Sequence, residues 1–286
     1  MTKAQNQRKV KADFHNHLRT SSRLSDEDFN AAIDIASERL GLGGTFGMIN
    51  FADKRYEKFT QLIGYKREYV GENRNAIYVP ERDVLVVKGQ EVPTKQGHLL
   101  ILGLGWNEHI TNHMTLEDTL KQAKEEYNAT IIGDHLFFTQ AQGAGRYLGE
   151  NFHLVKDLDA IEVYNGEAAI HPLANFRAQN LFNRIVTYPT GAISTSDGHS
   201  LLEIGRNWTE IDEIDRENPK NYLTSLKESV QNTKRAKKMK SGSRIGAVNH
   251  VIDLIWILKV APKIGLGFLY ETERPEGVTD MGIPKN

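Results

Sequence analysis

The sequence predicts an α/β chain built on a parallel sheet, open or closed into a barrel. Three observations lead there. Its 286 residues suit a single α/β barrel. Short apolar runs alternate with segments of helical period, the pattern of strand-helix units. Residues able to bind metals or move protons cluster at the ends of those runs, where the loops of a barrel converge.

The elements follow in order. Residues 10–15 form the first strand. Residues 26–40 read as a helix, with Ser25 before it and Asp26, Glu27 and Asp28 in its first turn. Gly41-Leu42-Gly43-Gly44 stops that helix and leads into a strand at 44–50. Further strands are expected at 84–89, 98–103, 130–134, 160–164 and 192–196, and helices at 116–127, 170–182 and 222–239. One domain over residues 1–270 is expected, with a flexible tail at 271–286 that is rich in Gly, Pro and charge.

Composition removes several classes of function. The chain has no cysteine, so disulfides, thiolate metal sites and cysteine nucleophiles are excluded. Any metal must sit on His, Asp, Glu or Asn. A net charge of −1 provides no global field for nucleic acid or membrane. Residues 1–11 are polar and basic, which predicts no signal peptide and, with the missing cysteines, a cytoplasmic setting. The apolar stretch 251–270 carries Asp253, Lys259 and Lys263, which argues against a membrane span. The basic run at 234–240 reads as the solvated end of a helix. No Gly-x-Ser-x-Gly elbow and no helical His-Glu-x-x-His is present. The loop Gln142-Gly143-Ala144-Gly145-Arg146 lacks the Lys-Ser/Thr of a nucleotide phosphate loop.

The chemistry gathers in five places. Asp13-Phe14-His15-Asn16-His17 sets two imidazoles two residues apart, so on an extended strand both face one point. Gly89-Gln90-Glu91, Gly97-His98-Leu99-Leu100, Gly133-Asp134-His135 and Ser196-Asp197-Gly198-His199 follow. Together they point to a metal-dependent hydrolase. Arg19 and Arg23 flank the first motif and Arg146 lies in the glycine-rich loop, so these three are candidates to bind a substrate phosphate. Lys54 and Arg55 are weaker candidates, and Asp134 is a candidate to orient an imidazole from behind.

In that order, these motifs resemble the PHP family, named for polymerase and histidinol phosphatase. The run Ala160-Ile161-Glu162-Val163-Tyr164-Asn165-Gly166 is similar to the family strand before its last motif. The resemblance spans residues 10 to 210 or so and implies a distorted (β/α)7 TIM-like barrel. It also implies a metal set of His15, His17, Glu91, His98, His135, Asp197 and His199. His15, His17, Glu91 and Asp197 would hold one cation, with Glu91 bridging to a second held with His98 and His199.

The chain departs from the pattern at Ser22, where an acidic residue is usual, and at Asn50, where a His is usual. Both belong to a third metal position whose remaining standard member is His135, so two divalent ions (Zn, Mn or Fe) are expected, with the third position degenerate. The implied activity is hydrolysis of a phosphate ester by metal-activated hydroxide, with Glu91, His135 and His199 as the catalytic residues. Its substrate would be a small phosphomonoester, a nucleotide or a nucleic-acid 5′ end. The alternatives are a non-catalytic domain that keeps part of such a site and a metallo-amidohydrolase on a similar barrel.

Overall fold

Apolar runs bounded by turn residues become strands, and the intervening segments of period 3.6 become helices packed on the sheet. The computed structural model describes residues 8–18, 24–51, 54–138, 143–171, 173–185, 187–235, 239–244 and 248. In chain order the elements are β1 (Lys9–Asp13), α1 (Asp26–Leu40), β2 (Gly44–Asn50), α2 (Arg55–Phe59), β3 (Glu68–Val70) and β4 (Ala76–Val79). Then come β5 (Val84–Thr94), β6 (Gly97–Leu102), α3 (Leu116–Glu125), β7 (Thr130–Gly133), α4 (Gly145–Glu150) and β8 (Ala160–Asn165). The chain continues with α5 (Ala174–Arg184), β9 (Gly191–Thr195), β10 (Trp208–Asp212), α6 (Tyr222–Gln231) and β11 (Met239–Lys240).

All the described strands belong to one sheet, ordered β11-β10-β1-β2-β5-β6-β7-β8-β9, with the β3-β4 hairpin joined to β5. The pairs β1-β2, β2-β5, β7-β8 and β8-β9 are parallel. The sheet bends until the chain following β1 meets the chain following β9. There the Gly198 carbonyl accepts from the His17 N–H (2.7 Å), and the Gly198 N–H donates to the His15 carbonyl (3.1 Å). Only glycine allows this approach, because a Cβ at 198 would stand 2.6 Å from Asn16 Oδ1. The result is a nearly closed, barrel-shaped sheet.

Two parts differ from a regular strand-helix alternation. Strand β5 does not stop at Gly89 but runs on to Thr94 and turns directly into antiparallel β6, pairing Glu91 with Leu100 and Pro93 with His98. Lys95 and Gln96 are too few for a parallel crossover, which needs a dozen residues or so, and a hairpin is the connection left. The last helix ends at Gln231 rather than Met239. Asn232–Arg235 then tighten into a 3-10 turn, in which the Thr233 hydroxyl donates to the Val230 carbonyl (2.6 Å) and accepts from the Ala192 N–H of β9 (3.0 Å).

The helices cover the sheet with their apolar stripes. In α1, Phe29, Ala32, Ile33, Ala36 and Leu40 pack on Phe46, Met48, Val84 and Val86. Its start is fixed where the sequence predicts, with the Ser25 N–H donating to Asp28 Oδ2 (2.7 Å). Alternate residues on the other face, among them Ala12, Val87, Leu102, Ile132 and Ile193, share a core with Tyr222, Leu226 and Val230 of α6. Helix α5 begins at Ala174, four residues later than its period predicts, because His171 precedes Pro172 and is extended (φ −100°, ψ 104°). The segments expected at 251–270 and 271–286 lie outside the described residues, as do the side chains of residues 234–238.

Candidate metal centre

All seven residues predicted to bind metal meet at one end of the barrel, and each is brought there by its strand. His15 and His17 follow β1, Asp134 and His135 follow β7, and Asp197 and His199 follow β9. Glu91 lies inside β5, and His98 stands diagonally across the β5-β6 hairpin on the same face. His135 (φ 22°) and Asp197 (φ 49°) hold left-handed backbone conformations, a strain tolerated at positions that must aim a side chain.

Glu91 is the hub. Its Oε1 accepts from His98 Nδ1 (2.6 Å) and meets His135 Nε2 (2.9 Å). Its Oε2 lies 3.0 Å from His17 Nε2 and 3.7 Å from His15 Nε2. One carboxylate thus faces a different pair of imidazoles with each oxygen. Asp197 Oδ1 stands 3.3 Å from His15 Nε2 and 3.6 Å from His199 Nε2. His199 in turn lies 3.2 Å from Glu167 Oε2 and stacks on His17 with ring centroids 5.0 Å apart.

The grouping differs in one detail from the pairing that the resemblance implies. His135, not His199, joins Glu91 and His98, while His199 sits with Asp197 and Glu167. The hairpin explains this: it turns His98 toward the β7 end, where His135 follows.

Two partners fix which nitrogen each first-motif ring presents. His17 Nδ1 donates to the Ile49 carbonyl (3.2 Å) and His15 Nδ1 donates to Glu162 Oε1 (2.9 Å). Both rings therefore turn Nε2 into the cluster. Glu162 is fully buried and also accepts from Thr195 Oγ1, the His135 N–H and Asn165 Nδ2.

Charge is balanced across the cluster. Burial opposes an ionised Glu91, yet His98 and His135 hold its carboxyl well below the usual range. Burial likewise disfavours protonated His15, but Asp197 and Glu162 keep its pKa well above normal. His135 is held up at about 10 against burial by Asp134 and Glu91. His199 is raised by Glu167 and Asp197, again against burial. His17 is lowered by burial, which outweighs Glu91. Burial pushes Asp134 up to about 7, and neither of its oxygens has a hydrogen-bond partner.

The donor set fits divalent cations: imidazole nitrogens and carboxylate oxygens converge, and the fully buried Asp134 carboxylate accepts no hydrogen bond. His15, His17 and Asp197 form one such group, and Glu91, His98 and His135 form another.

Arg19, Arg23 and Ser22 lie outside the described residues. The Arg146 side chain is 92% exposed on α4 and ion-paired with Glu150, so it is not among the residues brought together. Arg55 is buried and donates to the His17 carbonyl (2.9 Å), supporting the first motif from behind. Asn50 accepts from the Tyr56 N–H (2.7 Å) and donates to Glu57 (2.9 Å), which pairs with buried Lys88. Sequence reasoning missed Glu162 and Glu167 as partners of His15 and His199; an acidic residue inside the apolar run of β8 was the available signal for the first.

No known family pattern and no curated protein matches the sequence. Solved structures do match in shape. PsfC from Pseudomonas syringae PB-5123 aligns over 87% of this chain and 97% of its own, with TM-score 0.55 and 15% identity. The lesion-specific endonuclease EndoQ from Pyrococcus furiosus aligns over 87% and 66%, with TM-score 0.53 and 14% identity. Endonuclease Q in complex with a 27-mer duplex, an abasic lesion at its active site, aligns over 79% and 57%, with TM-score 0.51 and 15% identity. A two-domain protein from Bacteroides vulgatus containing a predicted PHP-like metal-dependent phosphoesterase aligns over 80% and 64%, with TM-score 0.48 and 16% identity. The chain has the fold of PsfC and Endonuclease Q. It spans about two-thirds or less of the Endonuclease Q chains, at 66% and 57%. Among the described residues, no helix is long and apolar enough to cross a membrane.

Proposed function

We propose that this chain is a metal-dependent phosphoesterase of the PHP type. The observation that carries the reading is Glu91, whose two oxygens face two separate groups of imidazoles as a carboxylate between paired cations does. His15, His17 and Asp197 would hold one cation, and His98 and His135 the other. Cations bound there supply Lewis-acid charge for a phosphoryl group and a source of nucleophile at neutral pH. His199, at 24% the most exposed side chain of the cluster, stands where a substrate arrives and is oriented by Glu167. It would hand a proton to a leaving oxygen.

The fold shared with an endonuclease seen on duplex DNA supports a nucleic-acid phosphoester as substrate. A small phosphomonoester is the competing choice. The described residues place no lysine among the donors. Lys88 is bound to Glu57 and to the carbonyls of Gly105 and Glu108.

The test is turnover with Mn²⁺ or Zn²⁺ added to metal-free protein. Substrates are p-nitrophenyl phosphate, its bis ester, and oligonucleotides with a 5′ phosphate or an abasic site. Metal-dependent release from any of them, lost in His15→Ala, is the expected result. No turnover of any phosphoester by folded, metal-loaded protein contradicts the reading.

A further inference from the structure

We infer that Asp134 is itself a metal ligand, facing the cation that His15 and Glu91 share, and does not orient an imidazole from behind. The inference rests on the metal-centre reading above. Asp134 is fully buried directly after β7, and both of its carboxylate oxygens lack a hydrogen-bond partner. Its Oδ2 lies 3.3 Å from His135 Nε2, the same nitrogen that meets Glu91 Oε1 at 2.9 Å. An orienting carboxylate would instead hold His135 Nδ1. That nitrogen is buried without a partner. Asp134, His15 and Glu91 each present a donor atom within 4.8 Å of the others.

A buried carboxylate with no hydrogen bond is costly unless a cation meets it. The supports that surround the other site residues are absent here. Glu162 has four hydrogen-bond donors, while Asp134 has none. Asp134 directly precedes His135 at the end of β7. It brings a third carboxylate to the centre beside Glu91 and Asp197, in a chain whose Asn50 is committed to Glu57 and Tyr56. Added carboxylate oxygen suits Mn²⁺.

The test compares wild type, Asp134→Asn and Asp134→Ala as full-length protein, with Mn²⁺ and Co²⁺ as probes. Calorimetric titration with Mn²⁺ should show affinity at one position reduced on the order of tenfold or more in both variants. The Co²⁺ absorption bands should change in shape. Without metal, both variants should melt at or above the wild type, because the removed carboxylate has no hydrogen bond to lose, and the rise in Tm on adding Mn²⁺ should shrink. The inference is overturned if the variants bind Mn²⁺ like wild type and keep its Co²⁺ spectrum. It is equally overturned if their metal-free forms melt lower while the Mn²⁺-induced rise is intact, the result of a structural role. Wild type that binds no metal would overturn the metal-centre reading and this inference with it; a metal-binding wild type with unaffected variants would overturn this inference alone.

Discussion

Glu162→Gln tests how the first motif is aimed. Glu162 Oε1 accepts from His15 Nδ1 (2.9 Å) and Thr195 Oγ1 (2.8 Å), and Oε2 accepts from the His135 N–H (2.9 Å) and Asn165 Nδ2 (2.8 Å). Glutamine keeps only one acceptor oxygen. Its NH₂ cannot replace Oε2, because the backbone N–H cannot turn away. Asn165 cannot flip either, since its Oδ1 accepts from the Ala168 N–H and its Nδ2 also donates to Asp197. The NH₂ must therefore replace Oε1. Thr195 can rotate to accept, but His15 must then accept on Nδ1 and move its proton to Nε2, the nitrogen facing the cluster. A protonated Nε2 cannot bind a metal. Loss of such a partner weakens metal binding by about 10–100-fold, roughly 1.4 to 2.8 kcal/mol. Calorimetric titration of metal-free protein with Zn²⁺ measures it, with the melting curve showing that the variant is folded. A folded Glu162→Gln protein with affinity within about threefold of wild type would refute the tautomer argument.

Further outcomes follow from the same geometry. Glu91→Ala should remove at least one bound cation, whereas Asn50→Ala should keep both and lose about 1–3 kcal/mol of stability, through the unpaired Tyr56 N–H and Glu57 oxygen; equal metal loss in the two contradicts the assignment of Asn50. Metal affinity should rise with pH. His15 and His135 are held protonated above the ordinary range in the metal-free cluster, and each must lose its proton to bind a cation. Titrations in buffers of different ionisation enthalpy should therefore show proton release near neutral pH. A flat affinity between about pH 6 and 8 falsifies that linkage.

Much of this site was legible because its residues lie on or directly after strands. Spacing alone put His15 and His17 on one side, and the alternation placed Asp197 and His199 at the end of the strand before them. The partners were not legible, because they depend on how the sheet closes. His135 joins Glu91 and His98 only because β5 and β6 form a hairpin beside β7. Glu162 serves His15 only because the sheet closes, which leaves only β9 between β8 and β1. Asn50 reads as a degraded ligand in sequence, yet it caps α2 and holds the Glu57-Lys88 pair. The irregular strands β3, β4 and β10 left no clear period, being short and set by their neighbours in the sheet.

The most direct measurement is metal content per chain after metal-free protein is loaded with Mn²⁺ or Zn²⁺ and dialysed. Two groups of donors sharing Glu91 predict about two equivalents in wild type and fewer in Glu91→Ala. Folded wild-type protein that retains none, with His15, His17, Glu91, His98, His135, Asp197 and His199 all in place, would contradict the account.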